Sequence, residues 1–305
     1  MRNPDPWRDV DGLLLLDKPP GLSSNRALQA ARRIYRARKA GHAGTLDPLA
    51  TGLLVMCLGP ATRLSEYLSG KDKRYTARLR FGQTTNTYDS QGQVTATSLD
   101  IPDQPTVEAA LDGFRGAQHQ VPPAFSAIKR GGQKAYDLAR HGETVVLEAR
   151  PVVIYGLELV DWQPPEAVLE VQCSAGTYIR SLAHDLGQRL KCGAHLTALR
   201  RTASGNLRVD DAVPLAVLQD AFARQAWRRY LRPADLAVAD WPAVQLSAGG
   251  AARVRRGQSV PMEGAVNVAG EALGRAYNPA GDFIAVLRAD PAARAWRPDK
   301  VFSPD

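Results

Sequence analysis

Cysteine and long apolar runs are both scarce in this chain of 305 residues. Its three cysteines are Cys57, Cys173 and Cys192, and no two of them form a Cys-x-x-Cys pair. A disulfide framework and a cysteine zinc site are therefore not expected, and the cytoplasm is the predicted compartment. The longest apolar runs, residues 13–16 and 53–58, are far too short to span a bilayer, and the amino terminus lacks the apolar stretch of a secretion signal. Membrane, secreted and metal-stapled classes are thereby disfavoured.

Acidic residues are outnumbered, and the imbalance is local. Lysine and arginine together number 39 against 31 aspartates and glutamates, a formal net charge of +8. Residues 235–305 contain eight basic and eight acidic residues, so the whole excess lies in residues 1–234. Residues 18–46 carry seven basic residues and no acid. The excess favours a polyanionic partner, nucleic acid first, and the one-signed segment is typical of either a phosphate-binding face or a solvated helix face.

Strand-like and helix-like patterns alternate along the chain without a repeat, which predicts a mixed α+β sheet. Ser24 is predicted to cap the first helix. The strand-like segments are residues 12–16, 75–81, 152–160 and 167–174. The helix-like segments are residues 25–38, 105–114 and 177–190.

Two regions depart from this alternation. Residues 120–150 open with two prolines and contain few large apolar residues, which indicates either an excursion that closes over a ligand or a plain surface insertion. After Pro233 the chain is rich in glycines and short alternating runs, as in a small β domain. We therefore predict two domains, residues 1–232 and 233–305.

A glycine-rich stretch surrounds the first candidate site residue, Asp47. Residues 41–52 read Gly-His-Ala-Gly-Thr-Leu-Asp-Pro-Leu-Ala-Thr-Gly. Three glycines in twelve residues predict a backbone that turns sharply or approaches another group closely. The Asp-Pro pair indicates a turn or the start of a helix, and in the second case Asp47 is only an N-cap. The neighbouring histidine and the basic segment before it favour a functional carboxylate.

The second candidate is Arg180. Residues 173–187 change from a strand pattern to a helix pattern, which places Arg180 near a helix start. The helix dipole disfavours a cation at that position. Either the side chain points away into solvent, or an anion lies close to it.

Together these stretches resemble the signature motifs of the TruB family, the bacterial tRNA pseudouridine-55 synthases. Several ordered motifs with the expected spacing, over roughly residues 10–232, make a chance match negligible. One departure, Gly-Leu-Ser-Ser at 21–24 where the family usually has a Thr before the Ser, concerns a helix cap. The matching stretches are Lys-Pro-Pro-Gly at 18–21, residues 41–52, Tyr75, Gly-Gln-Thr-Thr-Asn-Thr-Tyr-Asp-Ser-Gln-Gly at 82–92, Gln-Val-Pro-Pro-Ala-Phe-Ser-Ala-Ile-Lys at 120–129, Cys-Ser-Ala-Gly-Thr-Tyr-Ile-Arg-Ser-Leu at 173–182 and Gly-Ala-His-Leu-Thr-Ala-Leu-Arg-Arg at 193–201.

The resemblance implies both a fold and a reaction. The fold is α+β: a mixed-sheet pseudouridine synthase core with helices, an RNA-binding thumb at about 120–150, and a small β-rich PUA-like domain from 233. The reaction isomerises the T-arm uridine of tRNA to pseudouridine. No electrons are transferred overall and no water enters, so no cofactor and no metal are expected. The expected partner is tRNA, with no membrane, and the expected state is a monomer.

The resemblance also implies roles for single residues. Asp47 is the catalytic carboxylate and Arg180 is its partner. Tyr75, the third catalytic candidate, stacks on the target base and is a candidate base near the sugar. His42 fills the space that the flipped uridine leaves. The other base-pocket residues are Tyr178, Leu199, Lys18 and Pro19. The candidates for phosphate contacts are Arg32, Arg33, Arg36, Lys39, Lys129 and Lys134.

Two other functions compete with this one. A tRNA-binding or tRNA-folding chaperone would use the basic face and the thumb but neither Asp47 nor Arg180. A guide-dependent relative would act inside a ribonucleoprotein, and the lack of lysine-rich tails argues against it. The presence of both candidate residues in matching motifs favours the enzyme.

Overall fold

The computed structural model describes residues 7–126, 128–130, 133–140, 147–262 and 272–302. The strands of the described residues are β1 (Gly12–Lys18), β2 (Ala40–Ala43), β3 (Thr51–Leu58), β4 (Lys73–Phe81), β5 (Gln83–Thr85), β6 (Val94–Thr97), β7 (Gly116–Gln120), β8 (Lys129–Arg130), β9 (Gln133–Lys134), β10 (Arg150–Gln163), β11 (Glu166–Cys173), β12 (Ala194–Ser204), β13 (Leu207–Arg208), β14 (Val213–Pro214), β15 (Leu231–Arg232), β16 (Ala243–Gln245), β17 (Val260–Pro261), β18 (Leu273–Tyr277), β19 (Phe283–Asp290) and β20 (Ala295–Val301).

The helices lie between these strands. The α-helices are α1 (Ser24–Tyr35), α2 (Ser65–Ser69), α3 (Gln104–Leu111), α4 (Ala135–Arg140), α5 (Ile179–Arg189), α6 (Leu215–Ala223) and α7 (Ala248–Arg255). The 3-10 segments are Gly59–Leu64, Asp112–Phe114, Val209–Asp211, Trp227–Tyr230 and Ala234–Val238.

Most strands join one large mixed sheet. Its order is β14-β1-β3-β12-β4-β11-β10-β7, with β15 beside β1, β2 beside β3 and β13 beside β12. The pairs β1–β14 and β3–β12 are parallel, and the other named neighbours are antiparallel. A second sheet has the order β16-β18-β19-β20-β17. The predicted α+β core and the small β-rich part after it are confirmed.

Side-chain pattern explains why these segments become strands. β4 alternates strictly, with Tyr75, Ala77 and Leu79 buried and the arginines at 74 and 78 exposed, as expected for a strand whose one face is covered. β1 and β3 are apolar along nearly their whole length and buried on both faces. These two strands therefore lie between two apolar layers.

The two layers have different partners. On one face, the sheet residues Tyr75 and Leu199 share a buried cluster with residues of α1, α3, α5 and α6. On the other face, Leu13 and Leu53 pack with α2, with the 234–238 segment and with Val286 of the second sheet. Tyr75 on β4 and the base-pocket candidate Leu199 on β12 thus lie on the helical face.

The start of α1 corrects one prediction. Ser23, not Ser24, is the N-cap: its backbone is extended, and its Oγ accepts a hydrogen bond from the backbone N–H of Arg26 at 3.2 Å. The helix also ends at Tyr35, earlier than predicted, because Arg36 is left-handed with φ 52° and its N–H donates to the carbonyl of Arg33. Ser24 is freed for a tertiary contact.

The region 120–150 leaves the large sheet and returns to it at one edge. β7 ends at Gln120, β10 begins at Arg150, and these two residues pair directly. Between them lie the β8–β9 hairpin and α4, while residues 127, 131–132 and 141–146 are outside the described part. The domain boundary near Pro233 stays a prediction, since β15 just before it still pairs with β1 and the second sheet begins only at β16.

Replacing the two neighbouring serines by alanine is expected to cost different amounts of stability. Ser23→Ala removes a helix cap, which is worth about 1 kcal/mol. Ser24→Ala leaves a buried backbone N–H and a buried carbonyl of Leu46 unpaired, at about 1–3 kcal/mol for each unpaired group. Urea unfolding measures both. A larger loss for Ser23→Ala than for Ser24→Ala would contradict the assignment.

Candidate active site

Asp47 lies in a turn that links β2 to β3. The backbone N–H of Ala50 donates to the Asp47 carbonyl at 3.1 Å, and the N–H of Gly21 donates to the carbonyl of Pro48 at 2.8 Å. No helix begins at Pro48, because β3 starts three residues later. The turn interpretation is therefore correct, and the interpretation of Asp47 as a helix cap is wrong.

A fully buried ammonium group holds this turn against the loop after β1. Nζ of Lys18 donates to the carbonyls of Pro19 and Leu22 at 2.9 and 2.7 Å and lies 3.5 Å from the carbonyl of Pro48. Burial lowers the pKa of Lys18 to about 8, while the negative charge of Asp47 acts in the opposite direction. Pro19 itself is half-buried.

A buried hydroxyl holds the other end of the turn. Oγ of Ser24 accepts from the backbone N–H of Leu46 at 2.7 Å and donates to the carbonyl of the same residue at 2.9 Å. The residue before Asp47 is thereby attached to the first turn of α1. Together with Lys18, this contact fixes the backbone on both sides of the carboxylate.

The side chain of Arg180 reaches Asp47 from the start of α5. Its Nε lies 2.9 Å from Oδ2 of Asp47. Its Nη1 donates to the carbonyl of Thr87 at 3.1 Å and its Nη2 to that of Phe125 at 2.9 Å. The cation near the helix start is compensated by an anion, so the alternative of a solvent-facing arginine is wrong. Only 5% of the Arg180 side chain is exposed, against 38% of the Asp47 side chain.

Asp89 is a third member of this cluster, and the sequence reasoning did not single it out. Its Oδ2 lies 3.7 Å from Nη1 of Arg180, and 6% of its side chain is exposed. Its Oδ1 accepts from Oγ1 of Thr87 at 2.7 Å and from the N–H of Gln91 at 3.0 Å. An acid inside the 82–92 motif, beside a Ser-Gln-Gly turn, was the available signal.

Burial raises the pKa of Asp47 above its ordinary value. The neighbouring carboxylate of Asp89 acts in the same direction, whereas the guanidinium of Arg180 and the ammonium of Lys18 lower it. The proton affinity of Asp47 is therefore set by three named charges and by its enclosure.

Arg201 is a second functional candidate that sequence reasoning missed. It is buried, its Nε donates to the carbonyl of Leu53 at 2.7 Å, and its Nη2 donates to that of Gly44 at 3.0 Å. Gly44 has φ 84°, and a Cβ there would meet Nη1 of Arg201 at 3.2 Å, so the close approach requires glycine. Arg201 also pairs across β12 and β4 with Tyr75, whose pKa is raised by burial and lowered by the guanidinium. The two adjacent arginines at the end of the 193–201 motif are the sequence feature that could have identified Arg201 as a candidate.

The remaining base-pocket candidates lie on three elements. His42 is half-buried on β2, and burial and the charge of Arg201 lower its pKa. Tyr178 is half-buried before α5, where the side chain of Gln120 donates to its carbonyl at 3.0 Å and accepts from its N–H at 2.8 Å. Leu199 is buried on β12. Asp47 lies close enough to Tyr178 to raise the pKa of that phenol, and the guanidinium of Arg201 acts on the pKa values of both His42 and Tyr75.

The phosphate-contact candidates lie apart from this cluster. Arg33, Arg36 and Lys39 are exposed around the far end of α1, about 18 Å from its start at 1.5 Å per residue. Arg32 is engaged within the protein: Nε and Nη2 donate to two backbone carbonyls at 3.1 Å, and its guanidinium lies 4.6 Å from the centre of a tryptophan ring. The residues at 129 and 134 pair in the β8–β9 hairpin, and their side chains lie outside the described part.

The described residues offer neither a metal-ligand cluster nor a helix that could cross a membrane. They contain no group of three or more His, Cys, Asp or Glu side chains arranged to hold a metal ion. None of the helices described has the length and the apolar character needed to cross a bilayer.

The chain matches two family models: TruB family pseudouridylate synthase (N terminal domain) over residues 32–179, and tRNA pseudouridylate synthase B C-terminal domain over residues 180–239. It is 47% identical over 296 residues to the tRNA pseudouridine synthase B of Sodalis glossinidius, and the aligned region covers 93% of this chain and 94% of the relative. The protein of the same name from Thiobacillus denitrificans is 48% identical over 283 residues, with coverage of 92% and 93%. A structure of an H/ACA RNP bound to a substrate RNA containing 2'-deoxyuridine has the same fold, with a TM-score of 0.76 and 24% identity over 96% of this chain and 85% of that one.

The pKa of Asp47 is expected to move in opposite directions when its two charged neighbours are neutralised. Asp89→Asn removes a negative charge and lowers the pKa, and Arg180→Gln removes a positive charge and raises it. Carboxyl carbon NMR of the labelled, folded variants measures both shifts. Asp100→Asn, on an exposed loop, is the matched control and leaves the value unchanged. Shifts of the same sign in both variants would contradict the arrangement.

Proposed function

This chain belongs to the TruB family of pseudouridylate synthases, and we propose from that premise that it is a tRNA pseudouridine synthase acting on uridine 55 of the T-arm. The observation that carries the proposal is the contact between Nε of Arg180 and Oδ2 of Asp47 at 2.9 Å, formed between two of the motifs that resemble the family. The chaperone alternative makes no use of this pair.

The reaction needs a carboxylate beside the target nucleoside. The bond between N1 of uracil and the ribose is broken, the base turns, and a bond from C5 to the same ribose carbon forms, while one proton leaves C5 and one is gained at N1. We assign this role to Asp47, as the nucleophile or as a base at the ribose. The positive charge of Arg180 opposes protonation of Asp47. The side chain of Asp47 is more exposed than those of Arg180 and Asp89, so we infer that substrate reaches Asp47 first. The reaction has no net oxidation or reduction, so we propose that it proceeds without a cofactor.

The target base has to leave the RNA stack before the carboxylate can act on it. Extrusion costs a few kcal/mol of stacking, which protein contacts have to offset. We assign those contacts to Tyr75, Tyr178 and Leu199 around the base, and to His42 in the space that the base leaves. The lowered pKa of His42 favours its neutral ring, which can enter a stack without carrying a charge out of water.

The rest of the arm is held through its backbone. Arg33, Arg36 and Lys39 offer exposed cations at the end of α1 for phosphate contacts. We propose that Lys129 and Lys134 of the 120–150 thumb contact RNA phosphates as well. We further propose that the protein acts in the cytoplasm and as a monomer.

Asp47→Asn is expected to abolish pseudouridine formation while tRNA binding stays within about threefold of wild type, because the amide keeps the shape and loses the nucleophilic charge. Pseudouridine mapping and filter binding with the pure protein and no added cofactor measure the two quantities. Asp100→Asn is the control and keeps full activity. Wild-type-like product from Asp47→Asn would refute the assignment.

Arg33→Ala is expected to change mainly the salt dependence of tRNA binding, and Arg32→Ala mainly the stability of the fold. Removing the exposed Arg33 lowers the slope of log affinity for tRNA against log salt by about 1, as for one lost phosphate contact. Removing Arg32 lowers the free energy of unfolding and changes that slope less, because its guanidinium is bound to carbonyls. Salt titrations and urea unfolding separate the two effects. Equal changes of slope would contradict the difference.

A further inference from the structure

The loop that carries Asp89 contacts α5 through three consecutive residues. The carbonyl of Thr87 accepts from Nη1 of Arg180 at 3.1 Å, and Oδ2 of Asp89 lies 3.7 Å from the same nitrogen. Between these two contacts, the ring of Tyr88 stacks on the imidazole of His184 with centroids 3.8 Å apart and planes 12° from parallel. Arg180 and His184 are four residues apart in the helix, so they lie on the same face. The loop therefore docks on one helix face as a unit.

The middle residue of this unit has an unfavourable backbone. Tyr88 has φ 63°, in the left-handed region that residues with a large side chain rarely adopt. Its N–H donates to the carbonyl of Thr85 at 3.2 Å, and its carbonyl accepts from the N–H of Leu196 at 3.0 Å. Backbone strain of this kind persists only where surrounding contacts hold it, and it is concentrated at functional sites. The stack on His184 is the side-chain contact that contributes to holding it.

The geometry links this strain to the catalytic pair. Because Thr87 and Asp89 flank Tyr88, a change of the Tyr88 dihedral angles turns the Thr87 carbonyl and the Asp89 carboxylate away from Arg180. Arg180 would then lose two of the groups that hold its guanidinium within ion-pair distance of Asp47. Burial also favours the neutral form of His184, so the ring stacks without an uncompensated charge.

We propose that the Tyr88–His184 stack is a positioning device for the isomerisation: it holds the 87–89 loop in its strained form so that the guanidinium of Arg180 stays within ion-pair distance of Asp47. Tyr88 and His184 are positioning residues that act through Arg180. The inference rests on the proposed function, since pseudouridine formation is one of its readouts.

The first test compares ring removal with ring preservation. In single turnovers with tRNA, Tyr88→Ala and His184→Ala are expected to react at least about tenfold more slowly while tRNA affinity stays within about twofold. Tyr88→Phe and His184→Phe keep a ring and are expected to stay within about threefold of wild type. Tyr67→Ala is the matched control, because the Tyr67 ring packs on a tryptophan 4.9 Å away on the opposite face of the sheet, and it keeps the wild-type rate.

The second test asks whether the stack acts through the loop. Tyr88→Ala is expected to cost little further rate in an Asp89→Asn background, because the group that it positions is already gone. If Tyr88→Ala does not fold, His184→Ala takes its place in the same Asp89→Asn background, since it removes the stack and leaves Tyr88 in its left-handed backbone. Additive losses, or a wild-type rate in a folded Tyr88 variant without the ring, would overturn the proposal.

A third measurement does not depend on activity. The Nε–H signal of Arg180 in nitrogen-15 spectra, identified by its loss in Arg180→Lys, is expected to exchange with water at least about tenfold faster in His184→Ala than in wild type. An unchanged exchange rate would overturn the proposal. A wild-type protein that forms no pseudouridine would instead refute the proposed function, and this measurement would still test the positioning.

Discussion

The buried guanidinium of Arg180 is the constraint around which the site is built. A cation withdrawn from water needs an acceptor for its N–H groups and a compensating negative charge. Arg180 takes these from three distant parts of the chain: the Asp47 turn, the 87–89 loop and Phe125 at the root of the thumb. Each of these parts is thereby fixed relative to α5, so the same guanidinium that favours the charged form of Asp47 also holds the three parts together.

Other buried or half-buried cations of residues 1–234 follow the same principle. Lys18 binds carbonyls of the loop after β1 and approaches that of Pro48, and Arg201 binds the carbonyls of Gly44 and Leu53. Arg32 similarly closes the end of α1. Part of the positive charge of residues 1–234 is therefore internal and fixes loops that have no regular secondary structure. The overall excess of basic residues overstates the number of cations available to RNA.

Local patterns predicted several of the long strands and helices of the core and singled out Asp47 and Arg180, whereas the pairing of these two residues came from the resemblance to the family. The alternation in β4, the apolar runs of β1 and β3 and the strand-to-helix change before Arg180 each reflect short-range periodicity, which the backbone obeys directly. Prediction was wrong at the Ser23–Ser24 boundary, because both residues are good caps and only the contact with Leu46 distinguishes them. It omitted Asp89 and Arg201, whose importance lies in partners that are far away in sequence.

The sequence by itself determined the fold class, the family, and the presence of a carboxylate and an arginine in motifs of the right kind. Only the tertiary structure decided which charges are buried, which are paired and which remain exposed. Arg32 is bound to carbonyls while Arg33 is exposed, and the side chain of Asp89 is more deeply buried than that of Asp47. The physical reason is the distance along the chain over which each effect acts. Periodicity and turn chemistry act over a few residues, whereas desolvation and ion pairing depend on whatever the folded chain brings within a few ångströms.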